Sequence, residues 1–253
     1  MLKTRLIPIL LLKNGRMVKT INFSALRDVG DPITSARIYN HQTVDELIFL
    51  DISETDEKKK ILFDIIRKVA EECFMPLTVG GGIKSINDIR MLLQIGADKV
   101  AINTHAVTNP LLIKEAAEMF GSSTIVISID VKKNSDNQYK VFINNGSKET
   151  NLNPVDWAKK VENLGAGEIL ITSIDKEGTM QGYDQYLIKL ITQNVTIPVI
   201  ANGGAGKLED FYEAITLGNV SAVAAASIFH FTDQSPIKVR TYLKYKQINV
   251  RNE

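Results

Sequence analysis

The chain has 253 residues, 44% of them hydrophobic, with a formal net charge of +1 and a single cysteine. That apolar fraction can fill a full core, while the interspersed charges exclude a nucleic-acid-binding stripe and an acidic tail. No apolar run reaches the ~20 residues that span a bilayer. Cys73 has no partner for an internal disulfide, so the composition reads as a cytoplasmic protein of a reducing compartment.

In chain order, short apolar runs alternate with amphipathic patterns. The runs predict strands over Arg5–Leu12, Glu46–Asp51, Met75–Val79, Lys99–Ile102, Thr124–Asp130, Glu168–Thr172, Ile197–Ala201 and Ser221–Ala225. The 3.6-residue patterns predict helices over Ile33–Tyr39, Glu57–Cys73, Ile86–Ile95, Pro110–Phe120, Pro154–Leu164, Tyr186–Gln193, Leu208–Leu217 and Pro236–Tyr245. Near-continuous apolar strands separated by helices imply parallel strands covered from outside. Eight such units in about 250 residues predict one (β/α)8 TIM barrel over residues 1–253, with a doubly wound open sheet as the alternative.

Two connections are long, 13–32 after the first strand and 132–153 after the fifth. The second contains a predicted hairpin, Tyr139–Ile143 turning at Asn144-Asn145-Gly146. Both leave the C-terminal end of a strand, where barrels keep their active sites, and both read as lids.

Two glycine loops stand at equivalent places, Gly80-Gly81-Gly82 after the third strand and Gly203-Gly204 after the seventh. Gly81 and Gly203 are 122 residues apart, as are Glu46 and Glu168, and Gly96 and Gly218. One offset shared three times indicates a half-barrel duplication and favours closure of the sheet. Glycine permits positive φ and close backbone approach, and free amides at a strand-to-helix turn attract anions, phosphate above all. Gly82 with Asn103 and Thr104 would cradle one phosphate. Gly204 with Ala226 and Ser227 would cradle another. The expected ligand is a small molecule with a phosphate at each end.

Asp130 ends the fifth strand and is the candidate general acid or base. Aligning Leu12-Lys13 with Val131-Lys132 makes Leu11 its repeat mate, so the position facing it across the mouth has no carboxylate. Asp51, Asp175 and Glu177 add polar groups near the mouth, and Lys19 in the first long loop can close on an anion. On the opposite face, Arg5, Glu46, Lys99 and Glu168 mark strand starts and predict a salt-bridged ring closing the barrel bottom. His41, His105 and His230 show no ligand spacing with one another or with Cys73, so neither metal nor cofactor is expected.

With Arg5, Val18-Lys19, Leu26-Arg27-Asp28, Gly30-Asp31-Pro32, Asp45-Glu46-Leu47, Thr78–Ile83, Gly96–Val100, Gly165–Leu170, Thr172–Asp175, Gly203–Lys207 and Ser227–Phe231 in view, the chain closely resembles the cyclase subunits of imidazole glycerol phosphate synthase along essentially its whole length. The resemblance implies a barrel that binds a bis-phosphorylated ribonucleotide-like substrate and forms a heterodimer with a glutaminase subunit docked on its bottom, with no membrane or nucleic-acid partner. Ammonia from glutamine would pass through the barrel to the active face. The same resemblance adds Gly178 to the phosphate positions, makes Arg5, Glu46, Lys99 and Glu168 the ammonia gate, and places Asp98 towards the glutaminase. It assigns Asp130 to one of two catalytic aspartates. Leu11 stands where the other is expected, Glu177 replaces an aspartate and Thr20 a glycine. These departures resemble a divergent branch associated with sugar amidation in surface polysaccharide synthesis. The leading expectation is therefore an ammonia conduit feeding a sugar amidotransferase, with impaired cyclase chemistry. The alternative is a working cyclase of histidine biosynthesis.

Overall fold

The strands are β1 (Arg5–Lys13), β2 (Arg16–Ile21), β3 (Ser24–Gly30), β4 (Leu47–Asp51), β5 (Leu77–Gly80), β6 (Lys99–Ile102), β7 (Ile125–Lys133), β8 (Tyr139–Ile143), β9 (Lys148–Glu149), β10 (Glu168–Ser173), β11 (Val199–Asn202) and β12 (Ala222–Ala225) in a computed structural model that describes residues 3–53 and 59–251. The helices are α1 (Pro32–His41), α2 (Lys59–Glu72), α3 (Ile86–Gln94), α4 (Thr104–Thr108), α5 (Leu111–Phe120), α6 (Pro154–Asn163), α7 (Gln185–Thr192), α8 (Leu208–Thr216), α9 (Ser227–Phe231) and α10 (Pro236–Tyr245).

Pairing runs β1-β4-β5-β6-β7-β10-β11-β12, all parallel, and β12 returns to β1 with Arg5 opposite Ala222. The sheet is thus a closed eight-stranded barrel with helices between its strands, as the repeat implied. Side chains alternate along each strand, and this divides the core in two. Ile7, Ile9, Ile48, Val126, Leu170 and Ile200, with Ala101, Ala222 and Ala224, form an inner cluster. Leu6, Leu10, Phe49, Val79, Ile127 and their like pack outward against the helices. Each fully buried aliphatic side chain contributes about 1.5–3 kcal/mol.

Local signals fix the helix starts. Asp31, Ser85 and Asn153 accept first-turn amides of α1, α3 and α6, and proline occupies the first turn of α1, α6 and α10. The strand and helix expectations agree with the structure to within a few residues, and the first two residues of the expected 57–73 helix lie outside the described residues. Three features differ. The first long connection folds as the antiparallel ribbon β2–β3, entered through a two-residue turn with Asn14 at φ 56° and Gly15 at φ 79°, the left-handed pair that a tight hairpin demands. The short helices α4 and α9 go unsignalled, since five residues are too few to show a period. Among the described residues, no helix is long and apolar enough to cross a membrane.

Candidate active site at the barrel mouth

At the C-terminal ends of the barrel strands lies a cavity of ≈ 490 Å³. Both glycine loops open onto it. Gly81 and Gly82 have φ of 117° and 61°, Gly203 and Gly204 of 93° and 112°. A Cβ on Gly81 would stand 2.3 Å from the Asp51 carbonyl oxygen, and one on Gly204 2.1 Å from that of Gly182. Only glycine fits either position. Among the described residues, no backbone carbonyl accepts from the amides of Gly82 or Gly204. Asn103 and Thr104 at the start of α4, and Ala226 and Ser227 at the start of α9, line the same cavity beside their respective loops. The Thr104 hydroxyl also accepts the Asn144 amide at 3.0 Å, which ties the turn after β8 to this rim.

Asp130 is the central polar group. It is 8% exposed, and burial pushes its carboxyl up to about 7, against opposing hydrogen bonds from Asn103 and Thr172 and with repulsion from Glu177 adding to the rise. Asn103 Nδ2 donates to Asp130 Oδ2 at 2.8 Å. Asn202 Nδ2 donates to Thr172 Oγ1 at 3.0 Å, completing a chain of supports. Register confirms the repeat mates: Asp130 faces Phe142 on β8 and Thr172 on β10, while Leu11 faces Val18 on β2 and Leu50 on β4. Leu11 lines the cavity with no polar atom to offer.

The ribbon β2–β3 closes one side of the mouth. Lys19 forms a buried ion pair with Glu177, and the Thr20 hydroxyl donates to the other Glu177 oxygen at 2.8 Å. The anion on which Lys19 closes is thus Glu177. Asn22 Nδ2 donates to the carbonyls of Ile174 and Asp175, both at 2.9 Å. Gly178, at φ 75°, lets this ribbon approach, since a Cβ there would meet the Thr20 carbonyl oxygen at 2.2 Å. His230 is half-buried near Lys19, and burial together with that charge pushes it down to about 4, so it is neutral.

The other two expected carboxylates part ways. The Asp51 carboxylate lines the cavity but accepts the Ser53 amide at 2.9 Å. Asp175 does not join the mouth; its carboxylate accepts the Lys133 amide at 3.0 Å. Sequence reasoning missed Thr172 and Asn202. Their mates at the 122-residue offset are Leu50 and Gly80, and that replacement of apolar by polar was the available signal.

At the other end the four charges do form a ring. Arg5 contacts Glu46 at 2.7 Å and Glu168 at 3.0 Å; Lys99 contacts Glu46 at 3.1 Å and Glu168 at 3.2 Å. Thr78 Oγ1 donates to Glu46 at 2.6 Å. Asp98 is exposed on this face, with one carboxylate oxygen accepting the Leu77 amide at 2.8 Å. Between ring and mouth lies the inner aliphatic cluster, joined at its top by Leu11 and Leu50. Among the described residues, no group of three or more His, Cys, Asp or Glu is arranged to hold a metal ion.

A family model described as histidine biosynthesis protein matches residues 5–235. The chain is 53% identical over 251 residues to the imidazole glycerol phosphate synthase subunit HisF of Hydrogenobaculum sp., covering 99% of this chain and 100% of that protein. It is 51% identical over 252 residues to the subunit of the same name from Clostridium botulinum, and 47% over 251 residues to that of Alkaliphilus metalliredigens, with the same coverage. None of these names speaks of sugar amidation, and they support the cyclase alternative better than the conduit expectation.

Proposed function

The chain belongs to the histidine biosynthesis protein family, among the cyclase subunits of imidazole glycerol phosphate synthase, and from that premise we propose that it performs the ammonia-dependent cyclase reaction with Asp130 as its single acid–base group. The substrate would be the bis-phosphorylated ribulosyl-formimino-aminoimidazole-carboxamide ribonucleotide. The products would be imidazole glycerol phosphate and aminoimidazole carboxamide ribonucleotide. The observation that carries this reading is the Asp130 carboxyl, buried and bonded by Asn103 in a mouth flanked by two glycine loops, where burial pushes it up to about 7.

Each end of the substrate has a matching cradle: Gly82, Asn103 and Thr104 for one phosphate, Gly204, Ala226 and Ser227 for the other, with Gly178 holding the ribbon beside it. Lys19 can exchange its Glu177 partner for substrate phosphate. A carboxyl poised near 7 both accepts and donates protons at neutral pH, so Asp130 can take a proton in one step and return it in a later one. Asn103 and Thr172 fix its orientation.

A glutaminase subunit would dock on the ring-bearing face, where Asp98 is exposed and Phe74, just before β5, is 90% exposed. Ammonia would enter through the ring of Arg5, Glu46, Lys99 and Glu168 and cross the aliphatic interior. Neutral ammonia tolerates such a lining, whereas ammonium would suffer the desolvation of an unpaired ion.

One observation favours a second reading. Leu11 in the mouth removes a proton-transfer group, which suits a barrel that delivers ammonia onward to a sugar amidotransferase. The test is formation of imidazole glycerol phosphate from the bis-phosphorylated substrate and an ammonium salt, with no glutaminase present. Turnover that depends on Asp130 supports the cyclase. No product under these conditions, with glutaminase-derived ammonia still leaving the complex, supports delivery.

A further inference from the structure

The loop after β10 presents successive side chains to two different cavities. Glu177 lines the mouth, and Lys176 lines a second cavity of ≈ 670 Å³ between the β7–β8 hairpin and α7. Lys133 on β7 and Lys140 on β8 line this cavity as well. Among the described residues, no carboxylate lies within ion-pair distance of any of these three lysines. One carboxylate lines the cavity as well, Asp184, and it accepts the Tyr139 hydroxyl at 2.9 and 3.0 Å and the Leu187 amide at 3.0 Å, so three lysines stand against one acidic group. The groove therefore carries surplus positive charge.

It also carries a flat aromatic plate. Tyr139 and Tyr186 stack with ring centroids 6.0 Å apart and planes 18° from parallel. Tyr139 is fixed by its bonds to Asp184 and has the Lys133 ammonium 5.3 Å from its ring centroid. Tyr186 is 69% exposed, so its ring is open to a stacking partner. Cations alone would suit any anion, but an exposed aromatic plate beside them selects a planar group attached to the anion. We propose that this groove binds a nucleoside phosphate, its base stacked on Tyr186 and its phosphates held by Lys133 and Lys176. No residue of the mouth takes part.

Calorimetric titration of the full chain with ADP, and separately with inorganic pyrophosphate, tests the assignment. Lys133→Ala/Lys176→Ala should weaken both ligands by about tenfold or more, the effect of losing two charge-assisted contacts. Tyr186→Ala should weaken ADP by about fivefold or more, since base stacking supplies that much, and leave pyrophosphate unchanged. Tyr186→Phe, which keeps the plate, should keep ADP affinity. A ligand that binds only at the mouth is indifferent to all these variants. Absence of ADP binding, or ADP affinity unchanged in the lysine variant, would overturn the site. Equal responses of ADP and pyrophosphate to Tyr186→Ala would overturn the nucleotide assignment.

Discussion

The two halves of this barrel agree at the bottom and around the phosphate loops, and disagree in the middle of the mouth. Glu46 and Glu168 occupy equivalent strand starts and each meets both Arg5 and Lys99. Gly82 and Gly204 occupy equivalent left-handed positions. Yet the first half offers Leu11, Leu50 and Gly80 where the second offers Asp130, Thr172 and Asn202. A duplicated fold constrains backbone geometry strongly and side-chain chemistry weakly. The polar set is self-supporting, Asn202 bonding Thr172 and Thr172 bonding Asp130, while Asn103 of the first half reaches across to Asp130. One half holds the proton and the other shapes the wall.

The largest effect should come from erasing the polar side of that contrast. Asp130→Asn should lower ammonia-dependent turnover by about 10²–10⁴-fold, the usual worth of a positioned acid–base group, in a steady-state assay. The same change should stabilise the fold at alkaline pH. Asp130 keeps its proton in the folded state up to about 7, against an ordinary value of 3.8. Its contribution is therefore full below pH 3.8 and is lost as pH rises through about 7, at most about 4 kcal/mol. Thermal melts at pH 8 should place Asp130→Asn above the parent chain, and the gap should close towards pH 4.

Next in size is the ribbon that covers the mouth. Glu177→Gln leaves Lys19 buried without its counter-charge, and breaking such a pair costs about 3 kcal/mol. Limited proteolysis should then cut within 16–30 faster than in the parent chain, and KM for the bis-phosphorylated substrate should change. Unchanged cutting would mean that Asn22 and Thr20 hold the ribbon without the ion pair.

Making the halves alike gives a smaller effect. Leu11→Asp should raise turnover, by about tenfold at most, because Thr20 and Glu177 are already paired around Lys19. A second carboxylate in the mouth should also push Asp130 further up, moving the acid limb of the pH–rate profile to higher pH. The smallest effect belongs to the ring. Lys99→Ala removes two of its four contacts, and the rate with glutamine and glutaminase should fall a few-fold relative to the rate with ammonium salt, measured on the same preparation.

Much of this was legible in the sequence, for identifiable reasons. Strands and long helices announce themselves by period, and the hairpin at Asn144-Asn145-Gly146 by its turn residues, all three with positive φ. The glycine loops and the ring could be read because the 122-residue repeat doubled each signal. What escaped depends on contacts between distant residues. Lys19 and Glu177 are 158 positions apart, so nothing local marks them as partners. Asp175 reads as a mouth carboxylate, yet the Lys133 amide claims it, a choice visible only once the loops are folded. The conduit expectation comes from Leu11, Glu177 and Thr20 departing from the family pattern, and the names of the chain's relatives weigh towards the cyclase instead.

The most direct test is the pH dependence of imidazole glycerol phosphate formation at constant free ammonia, with the substrate saturating. The rate should rise to a plateau through one ionisation near pH 7, and that ionisation should vanish with Asp130→Asn. A wild-type profile requiring two ionising groups, or an Asp130→Asn variant with undiminished turnover, would contradict a mouth whose proton chemistry rests on Asp130 alone.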